Sequence, residues 1–126
     1  YYMKISSEMS SEAKNALDNS KSLGGKKKNF KYEIINVPGV FEIPVIISKN
    51  IKKYDGFIAL GCVIKGETPH FDFISQATTN AIMTLSIDYK KPVGNGIITC
   101  LNQDQAEARS KKGREAAEAV ISVLSK

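Results

Sequence analysis

The chain has one histidine and two cysteines among its 126 residues, and each scarcity removes a class of explanation. Cys62 and Cys100 lie far apart and lack any Cys-x-x-Cys or Cys/His spacing. The expectation is a buried, reduced pair in a cytoplasmic protein. His70 is the single histidine and has no cysteine or carboxylate cluster around it, which argues against a transition-metal site. No run approaches the roughly 18 apolar residues needed to cross a bilayer, so no membrane partner is expected. The first residues, Tyr1-Tyr2-Met3-Lys4, carry no apolar stretch and no small-residue cleavage site. A start without an initiator methionine leads us to expect that residues precede Tyr1, with either a targeting segment or a strand among them.

What is present fits one globular domain over residues 1–126, with 42% hydrophobic and 25% charged residues. A chain of this size buries about two-thirds of its unfolded surface and closes a core without disulfide or metal. The net charge of +5 is concentrated in Lys26, Lys27, Lys28 and Lys31. These read as a solvated loop after Gly24-Gly25, or as a phosphate-backbone patch. With only Phe30 beside them to stack a base, no nucleic-acid partner is expected.

Residues 3–23 place Ile5, Met9, Ala13, Ala16 and Leu17 at a spacing close to 3.6, predicting an amphipathic helix stopped by Gly24-Gly25. Residues 32–37 are rich in β-branched and aromatic side chains and run into Pro38-Gly39, predicting a strand and a turn. A helix is predicted from Ile43 to about Lys53, with Pro44 in its first turn. Residues 56–64 are almost continuously apolar, the pattern of a central strand covered on both faces. Thr68-Pro69 reads as a helix start, and Phe73, Ile74, Ala77, Ala81, Ile82 and Leu85 continue at helical intervals. Residues 91–96 read as a loop, residues 97–100 as a strand, and residues 103–109 as a short helix. Ala116, Ala117, Val120, Ile121 and Leu124 line a last helix. Alternation of helix and strand predicts a parallel sheet with helices on both faces.

In such folds ligands bind beyond the carboxyl ends of the strands, so three loops matter. In Val37-Pro38-Gly39-Val40-Phe41-Glu42-Ile43-Pro44 the glycine allows close backbone approach, Phe41 offers a face for an aromatic ring and Glu42 a polar anchor. Alternatively, Phe41 is an ordinary core residue. In Lys65-Gly66-Glu67-Thr68-Pro69-His70 a glycine turn feeds a helix N-terminus, whose free N–H groups attract phosphate or carboxylate. Thr68 adds a hydroxyl donor, and His70 is either a proton shuttle at neutral pH or a capping residue. After the third strand, Arg109 and Lys112 are candidates for phosphate recognition, or the solvated end of a basic helix.

Together these segments resemble lumazine synthases. Val37-Pro38-Gly39-Val40-Phe41-Glu42-Ile43-Pro44 is similar to that family's VPGAFEIP signature. The stretch from Ala59-Leu60-Gly61-Cys62 through Val63-Ile64-Lys65-Gly66-Glu67-Thr68-Pro69-His70-Phe71-Asp72 is similar to its ALGxVIRGxTPHFD signature. Residues 92–99 and 112–117 match its PVxFGVLT and KGxEAA segments. The resemblance runs from Ile34 to the C-terminus. It implies an α/β, flavodoxin-like three-layer α/β/α sandwich with a parallel sheet, whose first strand is missing from this chain. It also implies self-association as a homopentamer, decamer or sixty-subunit shell. The implied activity is a transferase of riboflavin biosynthesis: condensation of 5-amino-6-ribitylamino-2,4-pyrimidinedione with 3,4-dihydroxy-2-butanone 4-phosphate to 6,7-dimethyl-8-ribityllumazine. No cofactor or metal is expected. Val40, Phe41, Glu42, Cys62, Val63 and Ile64 would line the pyrimidine site, with Asn95 in a wall where many members have Phe. Glu67 and Thr68 would bind phosphate, His70 would move protons, and Arg109 and Lys112 would reach in from the neighbouring subunit. The family usually has several more residues between the last two positions. A non-catalytic flavin- or lumazine-binding homologue, or a shell-forming one, is the alternative.

Overall fold

Two strands, β1 (Phe57–Ile64) and β2 (Val93–Cys100), pair in parallel in a computed structural model that describes residues 3–19, 30–66 and 70–126. The register runs from Phe57 opposite Val93 to Ile64 opposite Cys100. Beyond the ladder, the Phe57 N–H donates to the Pro92 carbonyl (2.9 Å) and the Lys65 N–H to the Cys100 carbonyl (2.8 Å).

Alternate residues of a strand face opposite sides of the sheet, and the two cores follow that alternation. Ala59 and Ile97 join Ile43, Ile47, Ile51 and Ile82 in one buried cluster. These isoleucines come from α2 (Ile43–Lys49), the turn after it, and α3 (His70–Tyr89). On the other face Ile98 and Cys100 join Met9 of α1 (Met3–Asp18) and Ala106 of α4 (Gln103–Ala108). There α5 (Lys112–Leu124) lies against α1 and β2 and buries Gly113, Ala116, Ala117 and Val120. Helices therefore cover both faces of a parallel sheet, the expected α/β layering.

Two glycines set how closely the helices approach. A Cβ at Gly94 would come within 2.2 Å of the Ala116 carbonyl oxygen, and one at Gly113 within 2.2 Å of the Met9 carbonyl oxygen. The absence of a side chain there lets α5 rest directly on β2 and lets α1 cross α5. Gly94 also explains why residues 93–96 belong to β2, although glycine and asparagine made them read as loop.

Other expectations need correction. Residues 32–37 form no ladder; Tyr32, Ile34 and Ile35 are exposed. The segment pairs with no described strand, and its Glu33 is held by side chains, accepting from the Tyr54 hydroxyl and lying 3.8 Å from Lys53 Nζ. Nor is β1 covered throughout, since only Ala59 of its eight residues is buried. The Phe57 and Lys65 N–H groups face β2, so Ile58, Leu60, Cys62 and Ile64 turn theirs to the opposite edge, where the described residues provide no backbone partner. Helix α2 stops at Lys49, where the Asn50 side chain donates to the Ile46 carbonyl, and residues 51–53 continue as a turn. Helix α3 runs to Tyr89 and ends at Lys90, whose φ of 56° lies in the left-handed region. The expected stop at Gly24-Gly25 and the lysines at 26–28 lie outside the described residues.

Candidate active site at the strand ends

The C-terminal ends of β1 and β2 lie side by side, with Ile64 opposite Cys100, and the functional segments leave from or border this edge. A 3-10 turn, Val40–Glu42, follows Gly39 and leads directly into α2. Val40 packs on the core cluster and sits over Gly61, where a Cβ would come within 2.6 Å of Val40 Cγ2. Glu42 folds back on the same turn, its N–H donating to the Gly39 carbonyl (3.2 Å). Phe41 lies between them, 58% exposed. That exposure removes the core reading of Phe41 and leaves an aromatic face free.

On β1, Val63 and Leu60 turn to opposite faces and pack against the two different cores. Cys62 and Ile64 share the α1/α4 face with Leu60. Burial and the neighbouring Cys100 push the Cys62 thiol up from 9.0 to about 11. At neutral pH it is a protonated thiol, an apolar wall and not a nucleophile. Glu67 and Thr68 lie outside the described residues. His70 is placed as the first residue of α3, directly past the loop that leaves β1; its side chain is outside the description.

The third segment is a tight strand-to-helix corner. Asn102 caps α4 by accepting the Gln105 N–H (2.9 Å), while Gln105 Oε1 accepts the Leu101 N–H (2.9 Å). The reciprocal pair resembles a capping box. It fixes α4 so that Arg109, at its C-cap, reaches back to the end of β2. Arg109 Nη1 donates to the Thr99 carbonyl at 2.8 Å and lies 3.9 Å from Cys100 Sγ. The Lys112 N–H donates to the Arg109 carbonyl (3.0 Å), which holds the two basic residues on adjacent turns. Sequence reasoning missed the Thr99 carbonyl and Gln105 as the supports of Arg109. The Asn102-x-x-Gln105 spacing is the signal that could have found the corner.

Asn95 is not brought to this edge. It is the third residue of β2, five residues before Cys100, or roughly 16 Å along a strand. Its exposed side chain accepts the Ile97 N–H (3.1 Å) on the outer edge of the sheet. The chain thus gathers Val40, Phe41, Glu42, Cys62, Val63, Ile64 and Arg109 around one end of its sheet. An exposed ring lies on the α2/α3 side of that end and a guanidinium at the outer edge of β2.

Comparison with known proteins points the same way. The profile of the family described as 6,7-dimethyl-8-ribityllumazine synthase matches residues 1–126. The chain is 38% identical over 133 aligned positions to the 6,7-dimethyl-8-ribityllumazine synthase of Bartonella bacilliformis, covering 98% of this chain and 82% of that one. It is 42% identical over 113 positions to the enzyme of that name from Aliarcobacter butzleri, covering 86% and 71%. A third relative of the same name, from Agrobacterium fabrum, is 42% identical over 105 positions, with 74% and 71% covered. This chain belongs to the 6,7-dimethyl-8-ribityllumazine synthase family.

Proposed function

We propose that this chain condenses 5-amino-6-ribitylamino-2,4-pyrimidinedione with 3,4-dihydroxy-2-butanone 4-phosphate, releasing phosphate and water and forming 6,7-dimethyl-8-ribityllumazine in riboflavin biosynthesis. The observation that carries this reading is that the segments bearing the family's motifs border the C-terminal edge of the parallel sheet, with the Phe41 ring exposed. The pyrimidine stacks on Phe41, Glu42 orients its polar edge, and Cys62, Val63 and Ile64 exclude water from the ring. The phosphate of the four-carbon substrate meets backbone N–H groups near Glu67 and Thr68 at the start of α3, where the helix dipole favours an anion. Its charge is balanced by the Arg109 and Lys112 of a neighbouring subunit. The reaction needs protons moved as the amine adds to the carbonyl, as water leaves and as phosphate is eliminated. His70, at the first position of α3, is the group whose ordinary pKa suits that traffic.

In this reading the assembly is a homopentamer in the cytoplasm, stacked into a decamer or closed into a sixty-subunit shell. Asn95 belongs to the same reading: its distance from its own chain's site leaves it to line a neighbour's. Incubating the protein with both substrates and following lumazine fluorescence tests the reaction directly. Product formation faster than the uncatalysed condensation is expected; a rate equal to the protein-free control would refute the reading.

A further inference from the structure

Two cysteines and a methionine belong to one cluster on the α1/α4 face of the sheet. The register pairs Cys62 with Ile98 and Cys100 with Ile64, so the two cysteines are diagonal neighbours on adjacent strands and share one face. Met9 of α1, fully buried, packs in the cluster that contains Cys100 and against which Cys62 rests. Diagonal neighbours have Cα atoms about 7–8 Å apart, beyond the usual reach of a disulfide, about 4.4–6.8 Å. A metal ion held by two bonds of about 2.3 Å closes that gap without moving the backbone. Among the described residues no three His, Cys, Asp or Glu side chains cluster, so this site is made of sulfur alone. Hard cations need oxygen ligands and structural zinc needs four donors. Thiolate and thioether donors in low number select a soft monovalent ion.

We propose that Cys62, Cys100 and Met9 form a binding site for one Cu(I) ion. On binding, two S–H bonds break and two S–Cu bonds form; both protons pass to solvent and no electron is transferred. The bis-thiolate complex carries one net negative charge in a mostly buried place. Arg109, with Nη1 3.9 Å from Cys100 Sγ, is the cation that balances it. Cys62, half-buried on the open edge of β1, is the way in. Burial and the adjacent thiol keep Cys62 protonated at neutral pH, so the metal must displace that proton. Cys62 and Arg109 also belong to the site proposed for the condensation, so copper binding is read in the absence of both substrates and its failure leaves the condensation untouched.

The test is anaerobic titration of the reduced protein with Cu(I), in competition with a chromophoric copper chelator. One copper per chain is expected, with thiolate-to-copper absorption in the near ultraviolet. With two protons displaced, affinity should fall about 100-fold for each unit decrease in pH near neutrality. Cys62→Ser and Cys100→Ala should each weaken binding by at least about 100-fold, more than the loss of an outer-shell partner causes, and Met9→Leu by about 10-fold. Far-ultraviolet circular dichroism checks that each variant is folded, and Cys62→Ser, changed at a half-exposed position, carries the test if Cys100→Ala is not. Unchanged affinity in folded Cys62→Ser, or no copper retained by the folded wild-type protein, would overturn the proposal.

Discussion

Replacing a helical glycine by alanine ordinarily stabilises a protein by about 1 kcal/mol, because alanine is the better helix former. Gly113→Ala should do the reverse. The added Cβ would lie 2.2 Å from the carbonyl oxygen, 2.8 Å from the carbonyl carbon and 3.0 Å from the Cα of Met9. Carbon–oxygen contacts settle near 3.3 Å, so α1 must retreat by about 1 Å. Every clashing atom is backbone, and no rotamer change can relieve it. A gap of that size forfeits as much as half of each dispersion contact across the seam, where Met9, Ala13, Leu17, Ala116, Ala117 and Val120 are buried. Overpacking of this severity costs about 3 kcal/mol; subtracting the helix preference leaves a net loss of about 2 kcal/mol. With a urea m-value of about 1.5 kcal/mol/M, the unfolding midpoint should fall by about 1.3 M at unchanged slope. Gly66→Ala is the control, since a Cβ there meets nothing within 4 Å, and it should be neutral or stabilising by up to about 1 kcal/mol. A Gly113→Ala midpoint at or above that of the wild type would refute the close crossing of α1 and α5.

Thr78→Val should raise stability by about 1 kcal/mol in the same urea assay, because Thr78 is 1% exposed and its Oγ1 has no hydrogen-bond partner among the described residues; a loss would reveal a partner. The raised Cys62 thiol favours the folded state while protonated, so its contribution is full below pH 9.0 and is lost as the pH climbs to about 11. Across that window the stability of Cys62→Ala should fall less steeply than that of the wild type, and parallel curves would contradict the shift. Arg109→Ala should raise the Michaelis constant for the phosphorylated four-carbon substrate far more than that for the pyrimidine, measured by varying each substrate in turn. Equal increases would remove Arg109 from phosphate recognition. His70→Gln should lower turnover by roughly 10- to 1,000-fold while assembly, followed by sedimentation, is unchanged; wild-type turnover across the pH range would take His70 out of the mechanism.

The helices were legible because their signals are local and repeated. Met9, Ala13 and Leu17 sit at helical spacing and are all buried, as are Ala116, Ala117 and Val120. The first half of β2 was not legible, because the property that matters at Gly94 is how close another backbone comes, and that depends on where α5 lies. Residues 32–37 show the opposite failure. Their β-branched and aromatic composition reports a preference for extended backbone, but a strand also needs a neighbour's N–H and C=O groups. Composition contains no information about those.

The site was readable to the same degree and for the same reasons. Phe41 looked equally like core and like platform, because its identity says only that it is aromatic; the 3-10 turn after Gly39 decides the matter by holding the ring outside the cluster that takes Val40. Arg109 and Asn95 looked alike as polar site candidates, yet both serve the outer edge of β2. The odd-numbered residues of β2 turn their backbone groups away from β1. There Asn95 accepts the Ile97 N–H and Arg109 donates to the Thr99 carbonyl. Side chains so placed occupy donors and acceptors that would otherwise invite another strand. The far edge of β1 has no such cover among the described residues, and apolar Ile58, Leu60 and Ile64 lie along it. Among the described residues, one edge of this sheet is closed by its own side chains and the other has no backbone partner. That asymmetry accounts both for a strand whose sequence reads as central yet is half-buried, and for an arginine fixed at the strand end by the Thr99 carbonyl.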